Sequence, residues 1–307
     1  MGEKIYNLGM SNRNVYEDLR SIDTSVMERM YKSADSILCK IVMDEEKYGT
    51  NNDKDEQGLN VISFLGKRGR GKTSTMLSFF LHLNKLQDYE WSKFYKERKN
   101  INFVTLPYID AAMLAEEEYI FDVILAKMWD KFEEFEKEMK HTSTYQMLAI
   151  KDIKQAFIKI RKAYQVLQER DANKGSLKDK DMPVPSVLHE LAASMNLRNE
   201  MQVLVDQYLS LFKKDNKESY LVVAIDDIDM SGKKAHHILE QIRRFLRIHR
   251  VIVLLTADIE RLQKGCEYRY LEIYKDRNDR YQFVNDYLEK VLPYNMRVYM
   301  PEFICLS

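Results

Sequence analysis

Gly66-Lys67-Arg68-Gly69-Arg70-Gly71-Lys72-Thr73, entered by the apolar run Val61-Ile62-Ser63-Phe64-Leu65, decides how this chain folds. It spells G-x-x-x-x-G-K-[ST]. At average residue frequencies a chain this long shows that pattern by accident only about 1% of the time. A strand run precedes it and a helical pattern follows from about Thr73 to Leu86, the context the motif requires. Glycines let the backbone turn tightly and aim successive N–H groups at phosphate oxygens. The turn opens a helix, whose unpaired donors and dipole favour an anion. Gly66, Lys67, Arg68, Gly69, Arg70, Gly71, Lys72, Thr73 and Ser74 are therefore expected to hold a nucleoside triphosphate. Lys72 reaches the β- and γ-phosphates, and Thr73 offers its hydroxyl to Mg²⁺.

A second apolar run, Tyr220 to Ile225, leads straight into Asp226, Asp227, Ile228 and Asp229. Placed on the strand next to the phosphate loop's strand, Asp226 holds Mg²⁺ with Thr73, and Asp227 orients or deprotonates the attacking water. Asp229 reads equally as a cap for the next helix, a positioning group or a catalytic acid. The run Val251 to Thr256, continued by Ala257 and Asp258, offers Thr256 and Asp258 as γ-phosphate sensors. A strand threonine and a loop-opening aspartate explain them as well.

Around these motifs the 307-residue chain alternates strands and helices. Apolar steps of three and four predict a helix over 11–47, capped at Asn12 or Asn14, and GTNNDKDEQG at 49–58 reads as a loop. Strands are expected at 101–107 and Met296–Met300, and mostly helix from about 111 to 219, broken by DANKGSLKDKD at 171–181. This alternation implies an α/β fold: a three-layer αβα core on a mainly parallel, five-stranded sheet. The expected divisions are an N-terminal helical segment and loop (1–58), a core (59–301) with a helical insertion at about 111–219, and a remainder (302–307).

Lys plus Arg and Asp plus Glu both number 48, so no overall charge draws the chain to nucleic acid or anionic lipid. No apolar run approaches the roughly 20 residues that span a bilayer, and no signal-peptide core is visible at the start. Cys39, Cys266 and Cys305 are scattered, with no zinc spacing, which points to a reducing, cytoplasmic setting. One local exception to the balance is a predicted helix from Ser231 to Arg250. It carries Lys233, Lys234, Arg243, Arg244, Arg247 and Arg250 against only Glu240. That surface is either solvated or meets a neighbouring subunit's nucleotide or a nucleic acid. His236 and His237 read as surface residues.

Taken together, GKRGRGKT at 66–73, AIDDIDMS at 224–231, TADIERL at 256–262 and DYLEKVLPYNMRVYMP at 286–301 resemble additive-strand P-loop ATPases of the AAA+ and STAND kind, and the KAP type most closely. The resemblance covers about 59–301. It implies ATP and Mg²⁺ as ligands, ATP hydrolysis, and a ring-like homo-oligomer acting with an effector protein. The soluble character and the IDAAML segment at 109–114 resemble the ATPase of RADAR-type antiphage defence. Two departures stand out: many KAP proteins carry membrane helices, and here Met230-Ser231 follow the acids in place of Arg-Cys. AAA+ relatives add a helical lid after the last strand, so the ending PEFICLS at 301–307 suggests an N-terminal part of a longer protein. Such relatives also take a cation from a neighbouring subunit. The candidates are Lys290, Arg280, Arg244 and Arg247.

Overall fold

Strand runs separated by helical runs do form a parallel sheet. The computed structural model describes residues 5–7, 14–16, 27–48, 60–88, 92, 101–115, 118–139, 144–172, 184–213, 217–230, 232–271 and 277–301. The strands are β1 (Ile5–Asn7), β2 (Asn14–Tyr16), β3 (Val61–Leu65), β4 (Ile101–Thr105), β5 (Ile109–Asp110), β6 (Glu218–Asp226), β7 (Val251–Ala257) and β8 (Arg297–Tyr299). The main sheet runs β4-β6-β7-β3-β8, every pair parallel. A sixth, two-residue strand corrects the expected count: β5 also pairs with β6, beyond the end of β4. Pro107 explains the interruption. Leu106 still donates its N–H to Val222 O at 3.0 Å, but proline has no N–H to continue the ladder.

The helices are α1 (Glu28–Tyr48), α2 (Lys72–His82), α3 (Ile120–Glu138), α4 (Thr144–Ala172), α5 (Val184–Leu211), α6 (Gly232–Gln241), α7 (Ile259–Arg269) and α8 (Arg277–Val291). Alternation along the strands divides them into two layers. Ile62, Phe64, Val222, Ala224, Ile252 and Leu254 face α1 and α2. Val61, Leu65, Val223, Ile225, Val253 and Leu255 face the opposite way, into a core shared with α3 to α8. This is the three-layer αβα arrangement. Strands buried on both faces need the unbroken apolar runs that made β6 and β7 visible in sequence.

Several boundaries differ from expectation. Among the described residues the expected 11–47 helix is Glu28–Tyr48, and Asn14–Tyr16, inside the expected span, instead pairs antiparallel with Ile5–Asn7; residues 17–26 lie outside the described residues. Both three-residue segments carry β-branched or aromatic residues that suit a pleated pair. The helix after the phosphate loop tightens into a 3-10 segment over Leu83–Asp88. The insertion leaves helix at Leu211, and β6 begins at Glu218, earlier than Tyr220. The 231–250 helix is shorter too: α6 ends at Gln241, a π-helical turn covers Ile242–Leu246, and Arg247 is no longer helical. The loop at 49–58, residues 173–181 of the charged break and 302–307 lie outside the described residues.

A buried amide and a half-buried carboxylate fix the edge of the sheet where the strands begin. Asn60 Nδ2 donates to Leu246 O at 2.6 Å and Val251 O at 2.8 Å, tying the start of β3 to the entry of β7. Glu45, near the end of α1, accepts from the Arg250 backbone N–H at 3.2 Å with each carboxylate oxygen, and lies 3.5 Å from His249 Nδ1. Arg250 has a positive φ of 60°, a conformation uncommon outside glycine. Burial pushes the Glu45 carboxyl up from 4.5 to about 8, outweighing the bond from Arg250 N–H. Its stabilising contribution is therefore full below about pH 4.5 and lost as pH rises through about 8. We expect the thermal midpoint of Glu45→Gln to gain on wild type progressively from pH 5 to 8. Parallel melting curves across that range, with a constant difference, contradict the assignment.

Candidate active site

The strands all point their C-terminal ends to one edge, and the sequence motifs meet there. Leaving β3, Gly66 donates its N–H to Ala257 O at 3.1 Å. A Cβ on Gly66 would stand 2.8 Å from Met300 Cβ, so only glycine fits beneath β8. Gly71, at φ 80°, sits left-handed at the N-terminus of α2, which no side chain caps. Glycine adopts that conformation without strain, and the first-turn N–H groups stand uncapped by any side chain where the sequence leads one to expect anion donors. Lys67, Arg68 and Gly69 are exposed, while Arg70, Thr73 and Ser74 are half-buried. Lys72 is buried, and its ammonium makes one long bond, 3.4 Å, to Lys67 O across the loop.

The acidic strand end meets this loop through an unforeseen intermediary. β6 is not next to β3; β7 stands between them. Asp226 nonetheless reaches across: its Oδ1 accepts from Thr73 Oγ1 at 2.9 Å and from Thr256 Oγ1 at 2.5 Å. The Thr256 hydroxyl also accepts from Asp227 N–H at 2.8 Å. One hydroxyl on β7 therefore fixes both the Asp226 carboxylate and the backbone of Asp227. Asp227 needs that support because it has a positive φ of 52°. Thr256 is fully buried by these bonds. Asp258 instead caps α7, accepting from Glu260 N at 3.1 Å and Arg261 N at 3.4 Å.

Asp229 belongs to the same edge. It is 7% exposed, and its Oδ1 is buried with no hydrogen-bond partner. Burial raises its pKa; N–H bonds from Asp258 and from itself, and the Lys72 charge, oppose that rise, while Asp227 adds to it. Sequence reasoning gave no role to Asp110, which lies in register with Asp226 on the two-residue β5. The only signal for it was the polar residue ending a short apolar run.

A metal fits at the convergence of Thr73 and Asp226. Both present hard oxygens, and Mg²⁺ is usually held by one or two protein oxygens beside phosphates and water. Among the described residues no group of three or more His, Cys, Asp or Glu could hold an ion without such help.

The candidate cations lie elsewhere. Arg247 precedes β7, and its guanidinium donates to Lys290 O at 3.3 Å. Both are therefore at the sheet's opposite edge, about 23 Å from the phosphate loop along seven-residue β7. Arg244 is exposed, 5.3 Å over the Phe245 ring, and Arg280 is half-buried on α8. The expected basic face is dispersed: Arg243 pairs with Glu240 at 2.8 Å, and Arg250 lies 3.6 Å from Glu218 and 3.8 Å from Asp206. His236 is not a plain surface residue either. It stacks on Tyr287 and bonds Tyr270 Oη at 2.7 Å.

Among the described residues no helix is long and apolar enough to cross a membrane. Residues 53–301 match the family described as the KAP family P-loop domain. No curated protein matches the chain.

Proposed function

The chain belongs to the KAP family of P-loop domains, and from that premise we propose that it binds ATP with Mg²⁺ and hydrolyses it to drive a change of conformation or assembly. The observation that carries this reading is the bonding of Thr73 and Thr256 to one oxygen of Asp226, beside a loop whose N–H groups and lysine suit phosphates. Mg²⁺ bound by Thr73 and Asp226 supplies charge neutralisation at the phosphate oxygens. Lys72 adds a fixed positive charge where negative charge develops on the γ-phosphate. Asp227 orients the attacking water, its backbone held by Thr256. Thr256 acts in the same network as the link between the acids; Asp258 serves it from the cap of α7.

Assembly enters through the cations. A group at the far edge of the sheet does not reach the phosphate of its own chain, so Arg247 and Lys290 serve a nucleotide held by another copy; Arg244 and Arg280 are competitors for that role. A trans cation of this kind is worth about 10³–10⁵ in rate where arginine fingers act. A homo-oligomeric ring with an effector protein, in a cytoplasmic antiphage defence system, is the biological setting we assign. Its support is the sequence resemblance.

The test is Mg²⁺-ATP turnover across a protein dilution series, with the mass of the species followed in parallel. Specific activity is expected to rise steeply as oligomers form, and to vanish with EDTA. A flat profile in a species that stays monomeric removes the trans cation. ATP binding with no turnover at any concentration makes the protein a nucleotide-dependent scaffold.

A further inference from the structure

We propose that the cavity between the end of α5 and the starts of β6 and β7 binds a phosphate group carried by a small monoester. This second site does not depend on ATP hydrolysis. It lies at the edge where the strands begin, about 23 Å from the phosphate loop along β7. The cavity measures about 320 Å³, at the lower end of the roughly 300–1,000 Å³ of ligand pockets. Asp206 and Leu209 line it from α5, and Lys213 from just beyond that helix. Lys217 and Glu218 line it from the start of β6, and Arg250 from the entry of β7.

Cations outnumber acids around it, and none of the cationic groups donates a hydrogen bond among the described residues. The Arg250 guanidinium lies 3.6 Å from Glu218 Oε1 through Nε and 3.8 Å from Asp206 Oδ1 through Nη1, too far for hydrogen bonds. Its Nε is buried without a partner, a state that native structures rarely leave unexplained. Among the described residues, neither Lys213 nor Lys217 has a hydrogen bond or ion pair for its ammonium. The Arg250 backbone, in contrast, is fixed on both sides: its N–H donates to Glu45, and its O accepts from Leu221 N–H at 2.8 Å. The positive φ of 60° is therefore imposed, and strain of that kind in a non-glycine residue clusters at binding sites.

The donor set selects the ligand. A guanidinium fork and two ammonium groups offer three cationic side chains to one anion. A phosphate monoester has three free oxygens to meet them, whereas a carboxylate has two. Asp206 and Glu218 flank the guanidinium without using its donors, and leave the site one positive charge in excess. They also repel a long polyanion such as a nucleoside triphosphate, which keeps the two sites chemically distinct. The cavity is larger than a lone phosphate needs: at about 30 Å³ per water it has room for about ten. Leu209 and the lysine stems give the remaining space an apolar wall, suited to a short carbon body.

The experiment is isothermal titration of the full chain with glycerol 3-phosphate, inorganic phosphate and succinate, the last a dianion without phosphorus. Glycerol 3-phosphate is expected to bind most tightly. Arg250→Gln should raise its Kd about 30-fold, the scale of a lost hydrogen bond to a charged group. The double variant Lys213→Gln, Lys217→Gln should raise it about 5-fold, as exposed charges do. Those two ammonium groups hold nothing in place, so the double variant keeps the wild-type circular dichroism spectrum and decides the matter if Arg250→Gln does not fold. Lys72→Ala should leave this Kd unchanged. Binding lost in Lys72→Ala but kept in the other variants puts the ligand on the phosphate loop and overturns the proposal. It is equally overturned if the lysine variant binds like wild type, if succinate binds as tightly as the ester, or if wild type takes up no ester at about 10 mM. Equal affinity for inorganic phosphate supports the site and makes free phosphate its occupant.

Discussion

Lys72→Ala is expected to reduce nucleotide affinity and turnover by about 10²-fold or more, with the fold unchanged. The magnitude is that of removing one partner of a buried, charge-assisted contact. The fold survives because the Lys72 ammonium makes a single long bond, to Lys67 O at 3.4 Å, whereas the loop's shape is set by backbone bonds such as Gly66 N–H to Ala257 O. Isothermal titration with ATP, alongside a melting curve, measures both halves. Equal binding and turnover by folded wild type and variant remove the phosphate-loop assignment altogether.

Asp226→Asn carries the next largest effect, and its signature is a lost metal dependence. An asparagine keeps one oxygen for Thr73 and Thr256, so the strand ends stay joined. It brings no charge to a divalent ion, and its amide replaces the second oxygen. We expect wild type to bind ATP much more weakly in EDTA than in Mg²⁺, and the variant to bind similarly in both. Turnover should drop about 10²-fold or more, on the scale of lost electrostatic stabilisation at a reacting centre. If Asp226→Asn shows the wild-type response to Mg²⁺, the metal is held by other groups.

Much of the edge where these residues meet was legible because glycines and acids at strand ends leave local marks. Gly66, Gly71, Lys72 and Thr73 could be placed from spacing alone, since a tight turn into a helix permits few other residue types. Strand order was not legible. Nothing local in Val251–Ala257 says that it separates β3 from β6, so the two hydrogen bonds of the Thr256 hydroxyl, donated to Asp226 and accepted from Asp227 N–H, emerged only when the sheet was assembled. The same limit applied to charge. Arg247 and Arg250 continue a helical pattern in sequence, but Arg250 adopts a positive φ beneath Glu45, and the basic run divides between separate surroundings. Asp258 shows the opposite case, where the ordinary reading as a helix cap describes its bonds well.

The helical insertion has a mechanical property that its hydrogen bonds set. Arg198 on α5 donates to Arg247 O at 2.6 Å, and Gln202 exchanges bonds with the backbone of His249, so α5 is bolted to the turn that enters β7. The other end of β7 carries Thr256. α5 has 28 residues and is therefore about 42 Å long. Treated as a stiff beam pivoting on that bolt, it magnifies small rotations: a tilt of about 5° moves a point about 20 Å from the pivot by nearly 2 Å. The insertion is thus tied directly to the root of the strand whose other end carries the acids' shared hydroxyl, so a rotation of its outer end would act on β7 at that root.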